Sequence, residues 1–351
     1  MITTNQSLEK FGELKIDDYV DIVRNVWTNI HPRRTVIDYA LHVFDHASKL
    51  GEAIRKKDAD LILTEIAETL NWLFAFVAKL NDFKTGWENK LNIKTNFSRM
   101  IWDKYPNICP HCFERIYILN NHKITTNVSK IAIEIKGKCK YCLVDYPKVE
   151  ERSITIMADS TQNYDQLKRL SKKELRNYAQ KTLEEIPNSL QGMETMFHKI
   201  YESNTALTTL EGIGFHLLEE TGEMGRAVID IYTNKRTDKS LEEKHHDLCD
   251  EVAEVFGWLC SLTLKVRDEA KTFDKYRNRL VTYVLPLKAN KSEKLADYIG
   301  LEEILWLTYR NEKNKQYTCP YCKFTICKCE LEFAWEKKSI NTLYRDQKSL
   351  F

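Results

Sequence analysis

The stretches FHLLEETGEMGRAV (Phe215–Val228) and DLCDEVAEVFGWLCSLTLKV (Asp247–Val266) carry helical periodicity and no proline, although Gly222, Gly225 and Gly257 weaken the local propensity. In the first, Glu219 and Glu220 precede Glu223, which puts Glu220 and Glu223 one turn apart on one face. In the second, Asp247, Glu251, Glu254 and Trp258 form one continuous stripe. Leu248, Val252, Val255 and Leu259 form an apolar stripe beside it, so the carboxylates lie along the edge of the surface this helix must bury. Carboxylates placed there repel one another and are costly to desolvate. Within these turns only Arg226 could neutralise them, whereas a hard divalent cation takes oxygen ligands of this kind. A solvated acidic face is the bland alternative in a chain that is 30% charged.

Glu219-Glu220-x-x-Glu223 followed by Glu251-x-x-Glu254 resembles the E-E-x-x-E … E-x-x-D signature of the all-α nucleotide pyrophosphohydrolases, the MazG-like and dimeric dUTPase-like superfamily. The last position departs from that pattern, with Glu254 in place of the usual aspartate. The resemblance implies a helical bundle and Mg²⁺ held by Glu220, Glu223, Glu251 and Glu254, with Asp247 a further candidate from the stripe alone. It implies cleavage of a nucleoside triphosphate between its α- and β-phosphates, with Glu220 as the base for the attacking water and Glu219 assisting. A catalytically weak or inactive nucleotide-binding sensor or assembly subunit is the alternative, which the substitution at Glu254 leaves open.

The chain is doubled. His42-x-x-Asp45-His46-x-x-Lys49-Leu50-Gly51 aligns with His216-x-x-Glu219-Glu220-x-x-Glu223-Met224-Gly225, and Glu65-x-x-Glu68-x-x-x-Trp72-Leu73 aligns with Glu251-x-x-Glu254-x-x-x-Trp258-Leu259. The second copy carries about 12 more residues between its paired helices. The first copy keeps Glu65 and Glu68 but offers Asp45, His46 and Lys49 opposite them, a degenerate site. An ammonium at Lys49 would repel Mg²⁺ and could pair with Glu65 or Glu68. His42 and His216 read as packing or capping residues, and Trp72 and Trp258 as core. Two copies in one chain can form a pseudo-dimer, the degenerate copy packing on the intact one.

Helices are expected over residues 16–30, 35–56 and 59–80 in the first copy, and in the second from about Gln166, after a linker spanning about 150–165. Each copy leads into a cysteine module. Cys109-x-x-Cys112 and Cys139-x-x-Cys142 flank RIYIL and KIAIEI, which alternate like strands. Cys319-x-x-Cys322 and Cys327-x-Cys329 are flanked by KFTI and ELEFAW. Each set offers four thiolates for a structural, tetrahedral Zn²⁺; reduced or redox-active thiols are the other reading of the second set. Cys249 and Cys260 lie on a helix and read as buried apolar groups.

The expected architecture is thus mostly α: tandem MazG-like bundles, each followed by a small zinc-ribbon-like β module. The boundaries are a degenerate repeat (1–98), a zinc module (99–149), a linker (150–165), an intact repeat (166–290), and a helix with a C-terminal zinc module (291–351). Length and composition set the frame: 351 residues allow several domains, and a net charge of +2 offers no basic excess for nucleic acid. The basic loop with Lys235 and Arg236 reads as solvated, with substrate phosphates as its functional alternative. The N-terminus has no apolar signal region, and the apolar run near Leu70–Leu80 is too short for a bilayer, so a soluble cytoplasmic protein is expected. Further self-association, and a protein partner recruited by the cysteine modules, are both compatible with this reading.

Overall fold

A computed structural model describes residues 14–82, 96–121, 138–143, 161–233, 239–270, 300–309, 316–319 and 321–329. The first half contains α1 (Ile16–Val26), α2 (Val36–Lys56), α3 (Ala59–Leu80), α4 (Phe97–Lys104) and α5 (Pro110–Asn121). The second contains α6 (Thr161–Lys181), α7 (Leu190–Leu207), α8 (Leu210–Thr233), α9 (Leu241–Ala270) and α10 (Leu301–Tyr309). The protein is mostly helical, and no β-strand occurs among the described residues.

Local chemistry fixes several helix starts. The Thr35 hydroxyl accepts from Asp38 N at 3.2 Å while Asp38 accepts from Thr35 N at 2.7 Å, a reciprocal cap on α2. Lys57 ends that helix in the left-handed region (φ 54°), and Asp58 accepts from Leu61 N at 3.2 Å to open α3. Ser189 caps α7 through Gly192 N at 3.0 Å.

The hairpins α2–α3 and α8–α9 pack on each other mainly through α2 and α8, with α1 against α3 and α7 against α9. The starts of α1 and α7 run antiparallel, with Ile16 N donating to Asn188 O at 2.9 Å. A ladder of buried rings joins the halves: Tyr19 to Phe74 (5.7 Å between centroids), Phe74 to Phe97 (5.3 Å), Phe97 to Phe256 (5.3 Å) and Phe256 to Phe197 (5.6 Å). Gly257 is required beside it, because a Cβ there would meet the Phe197 ring at 2.7 Å.

The segments that follow each half cross over. Helix α4 packs on α9 of the second half, and α10 packs on α3 of the first. Their starts are anchored in matching ways: Asp17 of α1 accepts from Ser98 N at 3.1 Å, and Glu194 of α7 accepts from Leu301 N at 3.1 Å. Trp102 and Tyr105 of the first segment thus correspond to Trp306 and Tyr309 of the second.

Several expectations need correction. Helix α1 stops at Val26, and residues 27–33 turn to bury Trp27 and Ile30. Helix α6 begins at Thr161, inside the stretch read as linker, whose residues 150–160 lie outside the described ones. RIYIL is helical within α5, not a strand. Pro110 supplies a helix-compatible φ at the first turn, and Phe113 N donates to Cys109 O at 3.1 Å, so the knuckle runs directly into a helix. KFTI is irregular, with a bend at Thr325 and Ile326, rather than a strand. KIAIEI and ELEFAW lie outside the described residues, as do Lys235 and Arg236. Finally, α3 as a whole is long and apolar enough to cross a membrane, but 89% of its most apolar window is buried within the fold. Residues 59–69 supply the length that the reading of 70–80 alone missed.

Candidate metal and ligand site between the halves

Helices α8 and α9 bring Glu220, Glu223 and Glu251 together, with one oxygen of each within 4.8 Å of the others. Ligand oxygens around an octahedral Mg²⁺ at 2.0–2.1 Å stand roughly 2.9 Å or 4.2 Å apart, so a trio spread over at most 4.8 Å could hold such an ion after small shifts. Glu251 Oε2 is buried and makes no hydrogen bond. Burial and then the charge of Glu254 push the Glu251 pKa up to about 8. Burial, followed by the hydrogen bond and charge of Glu254, raises the Glu220 pKa. Trp258 Nε1 donates to Glu220 Oε1 at 3.3 Å. Without a cation these two carboxyls favour their protonated forms, and a cation between them would favour ionisation.

Glu254 stands outside that trio. Its Oε1 lies 2.5 Å from Lys104 Nζ, contributed by α4 of the first half. Burial works against Glu254 ionisation, but Lys104 and the Glu220 hydrogen bond outweigh it, and its pKa falls. Lys104 also lies 3.7 Å from the buried Asp250, which is paired with Arg176 at 3.2 Å and Lys172 at 3.5 Å. The reading of cations within the carboxylate turns therefore left out those from other helices: Lys104 of α4 reaches Glu254, while Lys172 and Arg176 of α6 hold Asp250. Sequence reading missed Lys104, Lys172, Arg176 and Asp250. The one available signal for Lys104 was its place inside the Trp-x-x-Tyr that recurs at Trp306–Tyr309.

The remaining candidates are dispersed. Asp247 pairs with Lys239 at 2.5 Å, outside the carboxylate trio. Glu219 is exposed and lies 3.3 Å from His216 Nδ1. His216 stacks on Trp258 at 4.5 Å, as His42 stacks on Trp72 at 3.9 Å, so both histidines are packing groups. Trp72 is buried, whereas Trp258 is only half-buried and lines a cavity.

The first half's site is filled from within. His46 Nδ1 lies 2.7 Å from Glu65, Tyr309 donates to Glu68 at 2.7 Å, and Tyr317 donates to Asn71 at 2.9 Å. Lys49 does not reach Glu65 or Glu68 as expected. It pairs with Asp45 one turn away at 2.7 Å, and His46 takes the place facing the acids. His42, Asp45 and His46 also converge within 4.8 Å, but His46 is already held by Glu65.

The four sulfurs Cys109, Cys112, Cys139 and Cys142 lie within 4.8 Å of one another, as do Cys319, Cys322, Cys327 and Cys329. All are free thiols, with Cys112–Cys142 at 3.5 Å and Cys319–Cys329 at 3.6 Å. Tetrahedral zinc with bonds of about 2.3 Å sets sulfurs roughly 3.8 Å apart, so both sets can bind zinc. Each is seated on the opposite half. Tyr201 reaches Cys109 Sγ at 4.0 Å and Asn204 donates to Tyr141 O, whereas Cys327 N donates to Val26 O at 2.6 Å. Cys249 and Cys260 are buried on α9, as expected.

Two cavities meet at the acids. The larger, about 540 Å³, lies between α7, α8, α9 and the first cysteine module, and Glu220, Glu223 and Glu254 line it. The smaller, about 200 Å³, is of mixed charge: Lys104, Lys168, Lys172 and Arg176 line it with Asp103, Glu114, Glu223, Asp250, Glu251 and Glu254. No known protein family, characterised protein or solved structure matches this chain.

Proposed function

We propose that the second half is a Mg²⁺-dependent nucleoside triphosphate pyrophosphohydrolase, converting a triphosphate and water into monophosphate and pyrophosphate. The observation that carries this reading is the convergence of Glu220, Glu223 and Glu251 around a buried, unpartnered Glu251 oxygen. The motif resemblance to the MazG-like superfamily supplies the reaction. Mg²⁺ held by these three residues would neutralise charge developing on the phosphates and make water a better nucleophile. Glu220, held by Trp258 and Glu254, would be the base that takes the water's proton once Mg²⁺ favours its ionised form. Lys172 and Arg176 line the smaller cavity but are paired with Asp250 there, so the charge of a phosphate chain would be met chiefly by Mg²⁺ at the trio.

The Lys104–Glu254 pair favours a second reading, a nucleotide-binding subunit with little or no turnover. Glu254 directs its charge to an ammonium, which leaves fewer carboxylates for metal than the family pattern implies. Incubating the protein with ribo- and deoxyribonucleoside triphosphates and Mg²⁺, beside a Glu220→Gln, Glu251→Gln variant, separates the two. Monophosphate and pyrophosphate from the wild type alone support the enzyme. Mg²⁺-dependent binding without turnover supports the sensor, and neither binding nor turnover removes both.

A further inference from the structure

The larger cavity has a wall that belongs to the other half of the chain. His111 sits inside Cys109-x-x-Cys112 and Tyr141 inside Cys139-x-x-Cys142, and their rings stack at 3.4 Å with 8° between planes. Both line the cavity, with Lys140 beside them. Asn204 of α7 donates to the Tyr141 carbonyl, which ties this wall to the second half. The same cavity is lined by a second stacked pair, His216 on Trp258. Glu220, Glu223 and Glu254 line this ring-lined space, so it opens directly onto the carboxylates. A ligand whose phosphates were held by Mg²⁺ at the trio would have its planar end among these rings.

From this geometry we infer that the first half's cysteine knuckle is the specificity wall of the second half's site. His111 and Tyr141 contact the base of the bound nucleotide, and zinc held by Cys109, Cys112, Cys139 and Cys142 sets that wall in position. The inference rests on the reading of the carboxylate trio as a nucleotide site. It goes further in assigning the base end to the ring-lined cavity, and in giving the zinc module a role in ligand choice. A knuckle that only stabilised the fold would need no rings facing this cavity.

The test is equilibrium binding in Mg²⁺ of the α,β-imido analogues of the common ribo- and deoxyribonucleoside triphosphates, with inorganic triphosphate as the base-free probe. Wild type is expected to prefer some bases and to bind inorganic triphosphate more weakly. Tyr141→Ala and His111→Ala should each weaken the preferred nucleotide on the order of ten-fold, the loss expected for removing one ring from a base stack, and level the preference among bases. Their affinity for inorganic triphosphate should be unchanged, and Tyr141→Phe should match wild type. Cys112→Ser, checked for helical content by circular dichroism, should lose zinc and base preference together. Unchanged base preference in both ring variants overturns the wall while leaving the nucleotide site standing. A wild type that binds neither analogue nor inorganic triphosphate overturns the site and the wall together.

Discussion

Lys104, at the end of the helix that follows the first half, places its ammonium 2.5 Å from Glu254 and 3.7 Å from Asp250 of the second half. Burial pulls the Lys104 pKa down, but the two carboxylates more than reverse this, and the ammonium is held charged. Replacing it leaves buried anions without their cation, a change that costs several kcal/mol where it has been studied. Lys104→Met should lower unfolding stability in urea by about 3 kcal/mol. Adding Glu254→Gln should recover part of that loss. A single variant within about 0.5 kcal/mol of wild type would show that the pair does not hold the crossed segment in place.

Glu251 illustrates the opposite balance. Its raised pKa means that the folded protein keeps a proton which the unfolded chain has released at neutral pH, so this group penalises the fold above about pH 4.5, increasingly up to about pH 8. Glu251→Gln should therefore stabilise the metal-free protein by roughly 2 kcal/mol at pH 7.5. The same variant should lose the rise in melting temperature that Mg²⁺ gives the wild type. Thermal melts in EDTA and in Mg²⁺ test both halves of this prediction, and a destabilised variant in EDTA would refute the strained-acid account.

Three buried histidines far from the acids set the acid limit of the fold. Burial, helped by Lys79 at His31, Arg267 at His198 and His246 at His245, pushes each pKa down to about 4. Each is neutral when folded, while the unfolded chain takes up a proton below about pH 6.5. Stability is therefore unaffected by these groups above that value and falls between about pH 6.5 and 4, by up to about 4 kcal/mol per pH unit for the three together. Glu194, Glu220 and Glu251 have raised pKa values and shift stability the opposite way over the same range, so the test compares wild type with His31→Gln, His198→Gln and His245→Gln between pH 7.5 and 5. Each variant should lose its share of the acid-side fall, and one whose pH dependence matches wild type would show that its ring does not contribute.

The cysteine modules make a stoichiometric prediction. The purified protein should carry two zinc ions per chain by elemental analysis, and Cys112→Ser and Cys322→Ser should each lose one. Because each module sits on the opposite half, chelation should lower the melting temperature of the whole fold and not of one part. Full zinc content in either variant would exclude that cysteine as a ligand.

Much of the helical frame was legible because local chemistry decides it. Thr35 with Asp38, and Asp58 after Lys57, mark the boundaries of α2 and α3 without any tertiary information. The trio Glu220, Glu223 and Glu251 was legible for a related reason, since spacing on two helices limits which carboxylates can converge. RIYIL was not, because a short apolar run has no period long enough to separate strand from helix, and it continues the helix that opens at Pro110. Lys104 and Tyr309 were out of reach for a different reason. Their partners lie on the opposite half, and which segment covers which hairpin depends on packing, not on pattern.

The crossing of α4 and α10 has a consequence for how such a chain can change over generations. In a symmetric pair of separate chains, one tail sequence would have to serve both sites, and any improvement at one would be imposed on the other. Joined in one chain, the two tails are inherited independently. One now presents His111 and Tyr141 to an open cavity, and the other closes Tyr309 and Tyr317 onto Glu68 and Asn71. The unequal spacing of the two cysteine sets marks that separation of labour: one tail forms a wall, and its twin has become a plug.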